Sequence, residues 1–163
     1  MTLKPRRFNR DEYYRMAESG VLSPHERVEL IDGVIVSMPP QNLPHAHAIS
    51  ASTMRLVAAF QATHIVRCQS PITLADDCEP EPDFALITKE HLSECNAQGK
   101  HPTRPDLVME ISDSSLSFNP SDAFGFGYRS IRLLSEAELA SPLFAPDHQI
   151  CVADLLGPAI PTA

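Results

Sequence analysis

The sequence predicts one α/β (α+β) domain, because segments with helical periodicity alternate with short runs of β-branched residues. The chain has 163 residues, of which 43% are hydrophobic, and this length is enough to bury one hydrophobic core. Its fifteen prolines predict many loops. We place the domain at residues 1–157 and expect residues 158–163, which contain two prolines, to form a frayed tail.

Local signals in the first third of the chain predict a helix, a hairpin and a second helix. Asn9 and Glu12 have the spacing of a capping box, so a helix is expected over about residues 9–19. Asp32-Gly33 lies between two β-branched runs, which is the strongest short-range signal for a hairpin. Hydrophobic residues then recur at helical spacing over about residues 45–62.

The middle of the chain predicts three strands separated by polar segments. The predicted strands span residues 64–74, 82–87 and 105–112. Residues 89–104 are polar and are expected to form a loop with some helix. The pattern weakens after Ser112, where we expect only a short strand at 131–134 and an ordered segment at 149–156.

Charge and composition limit the classes of function. The net charge of -8 disfavours strong non-specific binding to nucleic acid, although an acidic average is compatible with a local basic patch or a bound metal ion. No hydrophobic run is long enough to span a membrane, and the basic start of the chain is not followed by the apolar segment of a secretory signal. The four cysteines lack C-x-x-C spacing. These features predict a cytoplasmic protein with reduced thiols.

Three acidic residues, Glu29, Asp83 and Glu110, stand at strand-like positions among hydrophobic neighbours. An isolated buried carboxylate is costly, so acids in such places are usually paired, hydrogen-bonded or bound to metal. Magnesium prefers oxygen ligands and keeps several waters, and phosphodiester hydrolysis uses this kind of site. Spacing alone leaves a second interpretation open, in which these acids are solvated charges at strand ends.

Four segments occur in an order and at a spacing that together are specific. They are Glu29-Leu30-Ile31-Asp32-Gly33-Val34-Ile35, His45 to Ile49, Pro82-Asp83, and Pro105 to Ser115. This ordered set resembles the Uma-like putative restriction endonuclease family of the PD-(D/E)XK nuclease superfamily over about residues 8–118. The segment from Ile150 to Gly157 resembles the last segment of that family.

The resemblance implies a restriction-endonuclease-like fold, a mixed central sheet flanked by helices that carries a site for Mg²⁺ or Mn²⁺. Asp83 matches the aspartate of the family motif, Glu110 its glutamate, and Glu29 the N-terminal glutamate that often completes the site. By analogy with the superfamily, the backbone carbonyl of Ile111 is a further metal ligand. A histidine is frequent where His45 begins its helix, so His45 is also a candidate site residue. DNA is the implied substrate.

The sequence departs from the family pattern after about residue 118. The superfamily lysine normally stands two residues after the glutamate, at Ser112 here, and in the family a lysine on the following helix is expected to replace it. This chain has no lysine beyond Lys100 and no tryptophan. We therefore predict an internal deletion around residues 119–128, which truncates the C-terminal part, and no cation close to the carboxylates in the monomer. An edge exposed by such a deletion favours self-association, for instance as a homodimer.

Two hypotheses follow from these observations. The chain is either a metal-dependent endonuclease that hydrolyses DNA, or a degenerate, non-catalytic relative that acts as an interaction module. A cation within reach of the carboxylates distinguishes the first hypothesis from the second.

Overall fold

A computed structural model of the chain describes residues 4–111 and 134–157. In chain order its elements are α1 (Arg10–Glu18), β1 (Val28–Ile31), β2 (Val34–Ser37), α2 (Leu43–Phe60), β3 (His64–Cys68), β4 (Phe84–Thr88), α3 (Lys89–Ala97), β5 (Leu107–Met109), β6 (Leu139–Ala140), β7 (Ile150–Cys151) and α4 (Val152–Leu156). The strands form a β1-β2 pair, a three-stranded sheet in the order β3-β4-β5, and a β6-β7 pair, and every pairing among the described strands is antiparallel.

The two local signals near the N-terminus are confirmed. The Asn9 side chain accepts a hydrogen bond from the Glu12 amide at 2.9 Å, and the Glu12 carboxylate accepts one from the Asn9 amide at 3.2 Å. This reciprocal capping box begins α1. Asp32 and Gly33 both have positive φ, 49° and 71°, as the tight turn between β1 and β2 requires.

Helix α2 covers one face of the three-stranded sheet. Its buried side chains recur every fourth residue, as expected for one stripe of a helix. Leu56 and Phe60 of this stripe pack in one cluster with Phe84 and Leu86 of β4. The alternate residues of β4 face the opposite side, where Ala85 and Ile87 pack against Ile72. Because both faces of β4 are covered by hydrophobic groups, this strand is the centre of the fold.

Several boundaries differ from the sequence-based prediction. Strand β3 ends at Cys68 rather than continuing to residue 74, because Gln69 adopts a φ of 43°. Strand β5 is three residues long, shorter than the predicted 105–112. The polar segment after β4 contains a nine-residue helix, α3, capped by the Thr88 side chain. Residues 149–156 comprise β7 followed by α4.

Other sequence-based predictions fall outside the described residues. These are Ser112, the deletion around residues 119–128, most of the strand at 131–134 and the tail at 158–163. Within the described ranges, no helix is long and hydrophobic enough to cross a membrane. The four cysteines, all of which lie in those ranges, are free of disulfide bonds.

A buried carboxylate, Glu79, ties α1 to the segment that precedes β4. The residue is 3% exposed. Its carboxylate accepts hydrogen bonds from the Tyr14 hydroxyl, from Thr73 Oγ1 at 2.7 Å and from Arg10 Nη1 at 3.4 Å. These donors offset the cost of removing a carboxylate from water, so α1 is attached by polar contacts although none of its residues is buried.

Replacing Tyr14 by phenylalanine should lower the free energy of unfolding by about 1–3 kcal/mol, because a buried carboxylate loses one of its donors while the ring is kept. Urea denaturation followed by circular dichroism measures this. Tyr13→Phe is the matched control, since the Tyr13 hydroxyl donates at 2.8 Å to the neutral carbonyl of Val28. Its loss should be about 0.5–1.5 kcal/mol. Equal losses for the two variants would contradict a special role of the Glu79 contact.

Candidate functional site

Three polar residues form one row at the end of the three-stranded sheet. The Phe84–Met109 pair is the last in the ladder of β4 with β5, and continuing this register places Asp83 opposite Glu110. On the other side of Asp83, Gln69 directly follows β3, and its side-chain amide nitrogen lies 3.2 Å from Oδ1 of Asp83. Directly opposed residues of antiparallel strands project from the same face. Asp83 and Glu110 therefore lie side by side because of strand alternation and register.

The Asp83 carboxylate is held by three donors. Its Oδ1 atom lies 3.1 Å from Nε2 of His45 and accepts a hydrogen bond from Nε2 of Gln69 at 3.2 Å. Its Oδ2 atom accepts a hydrogen bond from the Ile111 amide at 2.8 Å. Asp83 is only 7% exposed, and these contacts offset the cost of burying it. They also fix the direction in which each carboxylate oxygen points.

Glu110 completes the pair. One of its carboxylate oxygens accepts a hydrogen bond from the Asp83 amide at 3.2 Å. The protein atoms around the carboxyl, and then the negative charge of Asp83, raise the pKa of Glu110 to about 8. The residue as a whole is nevertheless exposed. The site is therefore a carboxylate pair at an open end of the sheet, where solvent or a ligand reaches Glu110.

Glu29 lies near this pair but has partners of its own. It is 8% exposed, and burial raises its pKa, with smaller contributions from the charges of Glu81 and Asp83. The Glu29 carboxylate accepts a hydrogen bond from the Glu81 backbone, and the positive charge of Arg27 acts in the opposite direction to burial. Glu29 thus adds negative charge beside the pair, with its carboxylate oriented by the segment before β4.

Cations are scarce around the carboxylate pair. Among residues 4–111 and 134–157, His45 is the only basic side chain that forms an ion pair with Asp83, and no lysine or arginine there pairs with Glu110. Lys89 follows the far end of β4, about 20 Å along the strand from Asp83. The lysine-bearing helix of the family would follow Ser112, outside the described residues, so the absence of a cation in the monomer stays a prediction.

Comparison of the sequence with protein families identifies the family of this chain. The sequence matches the Uma2 family, whose description is "Putative restriction endonuclease", over residues 10–125. This chain belongs to the Uma2 family. No sequence among curated proteins matches the chain.

The Uma2 protein is also similar to the crystal structure of a "putative nuclease belonging to DUF820" from Anabaena variabilis ATCC 29413. The TM-score is 0.66, the identity is 13%, and the match covers 91% of this chain and 97% of the other. Identity this low supports the fold alone. The α/β, restriction-endonuclease-like fold predicted from the sequence is confirmed.

The structure brings together most of the site residues predicted from the sequence. Asp83, Glu110, His45 and the Ile111 backbone lie within one hydrogen-bonded group, and Glu29 is beside it. Gln69 was not predicted. The strand predicted over residues 64–74 continues past Gln69, and the contact of Gln69 with Asp83 depends on a backbone turn that no single-sequence pattern specifies.

The donor set of the Uma2 site fits a hydrated divalent cation. In the part of the chain that the structure describes, no three His, Cys, Asp or Glu side chains form a metal-binding group, so an all-protein cage is not present there. Mg²⁺ needs only one or two carboxylates besides water. Among the described residues, His45 and Gln69 occupy the two acceptor positions of Asp83 Oδ1, whereas Oδ2 accepts a hydrogen bond from the Ile111 amide. The carboxyl of Glu110 also forms a hydrogen bond with the Asp83 side chain. A hydrated divalent cation bound here would be held by Oδ2 and the adjacent Glu110 carboxylate.

Proposed function

We propose that this Uma2 protein is a metal-dependent endonuclease that hydrolyses phosphodiester bonds in DNA. The observation that carries the proposal is the Asp83–Glu110 pair, whose carboxyl groups meet at the open end of the sheet in the continued register of β4 and β5. Membership of a family described as "Putative restriction endonuclease" and a fold shared with a protein described as a "putative nuclease" support the reaction class. Mg²⁺ or Mn²⁺ is the cofactor that suits carboxylate ligands.

Each site residue has a distinct part in this proposal. Asp83, through Oδ2, and Glu110 would hold the ion, and the Ile111 carbonyl would be a further ligand. Glu29, whose carboxylate is bound to the Glu81 backbone, would act through a water molecule. His45 would orient Asp83 by holding Oδ1. A divalent ion bound here would polarise the phosphate and lower the pKa of the attacking water.

The acidic surroundings make the cation necessary for substrate binding as well as for chemistry. The negative charges of Asp83 and Glu29 lie close enough to Glu110 to raise its pKa, and such charges repel a phosphate group. A divalent ion reverses the sign of the local potential. DNA is therefore expected to bind at this site only when the metal is present, in keeping with the net charge of -8.

A non-catalytic relative that acts as an interaction module is the second candidate function. It is favoured by the lack of a lysine or arginine paired with Asp83 or Glu110 among the described residues. A lysine in this type of site orients or helps to deprotonate the attacking water, and loss of such a group costs about two or more orders of magnitude in rate. We therefore expect cleavage to be slow. A homodimer and a cytoplasmic location stay predictions.

Plasmid nicking tests the proposal. Purified protein is incubated with supercoiled DNA and Mg²⁺ or Mn²⁺, with chelator added to a parallel sample. The wild type should nick the plasmid only with metal, and Asp83→Ala should reduce the rate by about 100-fold or more. Glu110→Gln should give a similar loss while keeping an acceptor for the Asp83 amide. Circular dichroism confirms that each variant is folded.

Asp106→Asn is the matched control, because Asp106 is an acidic residue just before β5 that pairs with His64 instead of the site. It should keep wild-type nicking. Nicking that survives in Asp83→Ala would reveal a contaminating nuclease and remove the support for catalysis. Absence of metal-dependent nicking in the wild type would favour the non-catalytic relative.

A further inference from the structure

Gln69 has a backbone conformation that its residue type does not favour. Its φ is 43°, and the only other non-glycine residue with positive φ in the described ranges is Asp32, in the β1–β2 turn. Glycine, asparagine and aspartate adopt this left-handed region readily, whereas most other side chains do so at an energetic cost. The backbone N–H of Gln69 holds the residue there, because it donates to the carbonyl oxygen of Pro82 at 3.0 Å and to that of Asp83 at 3.2 Å.

This conformation ends β3 and directs the Gln69 side chain to the carboxylate row. Nε2 of Gln69 lies 3.2 Å from Oδ1 of Asp83, on the same oxygen that His45 contacts. An amide nitrogen donates hydrogen bonds and does not accept them, so Gln69 is the donor in this contact and Oδ1 of Asp83 the acceptor. Gln69 and His45 together occupy both acceptor positions of Oδ1.

Ending the strand does not by itself explain a glutamine at this position. A glycine would adopt the same φ without steric cost, and it would leave the backbone contacts to Pro82 and Asp83 intact. What a glycine cannot supply is the donor to Oδ1. Strained backbone conformations that persist in folded proteins cluster at functional sites, where the surrounding structure maintains them.

We propose that Gln69 is a positioning residue for the metal site of this Uma2 protein. By occupying Oδ1 together with His45, it fixes the Asp83 carboxylate so that Oδ2, next to Glu110, faces the divalent cation. This role rests on the metal site of the proposed function. It gives Gln69 no contact with the reacting atoms.

Isothermal titration with Mn²⁺ tests the role by comparing the wild type with Gln69→Gly and Gln69→Ala. Both variants lose the amide donor, and both should bind Mn²⁺ about 10-fold to 100-fold more weakly, as when other outer partners of metal ligands are removed. They differ in the backbone, since glycine relieves the positive φ and alanine does not. In urea denaturation Gln69→Gly should therefore be the more stable of the two, although it binds Mn²⁺ no better.

Gln61→Ala is the control, because Gln61 is an exposed glutamine at the C-terminus of α2. Its Mn²⁺ affinity should equal that of the wild type. Unchanged Mn²⁺ affinity in Gln69→Gly would overturn the positioning role. The role would also be overturned if Mn²⁺ affinity fell in proportion to the free energy of unfolding from one variant to the next. A wild type that binds no Mn²⁺ would overturn it too.

Parallel plasmid nicking separates this inference from the proposed function. Binding of Mn²⁺ that depends on Asp83 and Gln69, without any nicking, would support the positioning role and reject the endonuclease. Metal-dependent nicking by the wild type, with full Mn²⁺ affinity in Gln69→Gly, would support the endonuclease and reject the positioning role.

Discussion

Mn²⁺ should raise the melting temperature of this Uma2 protein more at about pH 9 than at about pH 6. The reason is the carboxyl of Glu110, whose pKa is raised from 4.5 to about 8 by the surrounding protein and by the charge of Asp83. A cation bound at Glu110 must displace the proton that this group carries below pH 8. Affinity should rise by about tenfold per pH unit up to about pH 8 and then level off, as expected when binding releases one proton.

Without metal, the same group makes stability fall as pH rises. The folded state keeps the Glu110 proton up to about pH 8, whereas the unfolded chain loses it near 4.5. Folding therefore takes up a proton between these values, and the free energy of unfolding decreases as pH rises through that window. Thermal melts followed by circular dichroism over a pH series, with and without Mn²⁺, measure both effects.

Glu110→Gln tests whether the carboxyl of Glu110, and no other ionisable group, causes both pH effects. The variant should lose the part of the pH dependence between about pH 4.5 and 8, together with most of the stabilisation by Mn²⁺. Glu90→Gln, at an exposed position in the first turn of α3, should behave like the wild type. Equal Mn²⁺ stabilisation at both pH values would mean that Glu110 is not a ligand.

Features encoded within a few residues could be predicted from the sequence. The capping box at Asn9 and the positive-φ turn at Asp32-Gly33 need no information from the rest of the chain. The carboxylate site was predictable to a lesser degree. The family resemblance suggested Asp83 and Glu110 as site residues, and the alternation of side chains along a strand placed each on one face. The register that sets them opposite each other depends on how the two strands pair, which the local sequence does not specify.

The boundaries of β3 and α3 differ from the prediction for a physical reason. A hydrophobic pattern indicates which residues are buried, but it does not indicate which residues form the backbone hydrogen bonds of a strand or a helix. Ile72 lies in the segment predicted to extend β3 and is 1% exposed. It packs against Ala85 and Ile87 from a loop, because the turn at Gln69 has already ended the strand. Helix α3 was underestimated for the complementary reason. It buries only Cys95, so its sequence carries little apolar periodicity.

Phe84→Ala should have the largest effect on stability, lowering the free energy of unfolding by about 3–5 kcal/mol. Phe84 is fully buried and packs with Leu56 and Phe60 of α2. The alanine would lose these contacts and leave a cavity between the helix and the sheet, which such a core refills only in part. Urea denaturation measures the loss, with Leu143→Ala, at a position 96% exposed, expected to change stability by less than about 0.5 kcal/mol.

The same variant tests how far the carboxylate row depends on the core. Phe84 directly follows Asp83, and it forms the last ladder pair of β4 with β5 before the Asp83–Glu110 contact. If packing against α2 holds this end of β4 in place, folded Phe84→Ala should bind Mn²⁺ more weakly than the wild type in the absence of urea. Full affinity in the folded variant would show that backbone register, together with the bonds to His45, Gln69 and Ile111, is enough to position Asp83. A loss of stability below about 1 kcal/mol would instead contradict the packing of α2 on this strand.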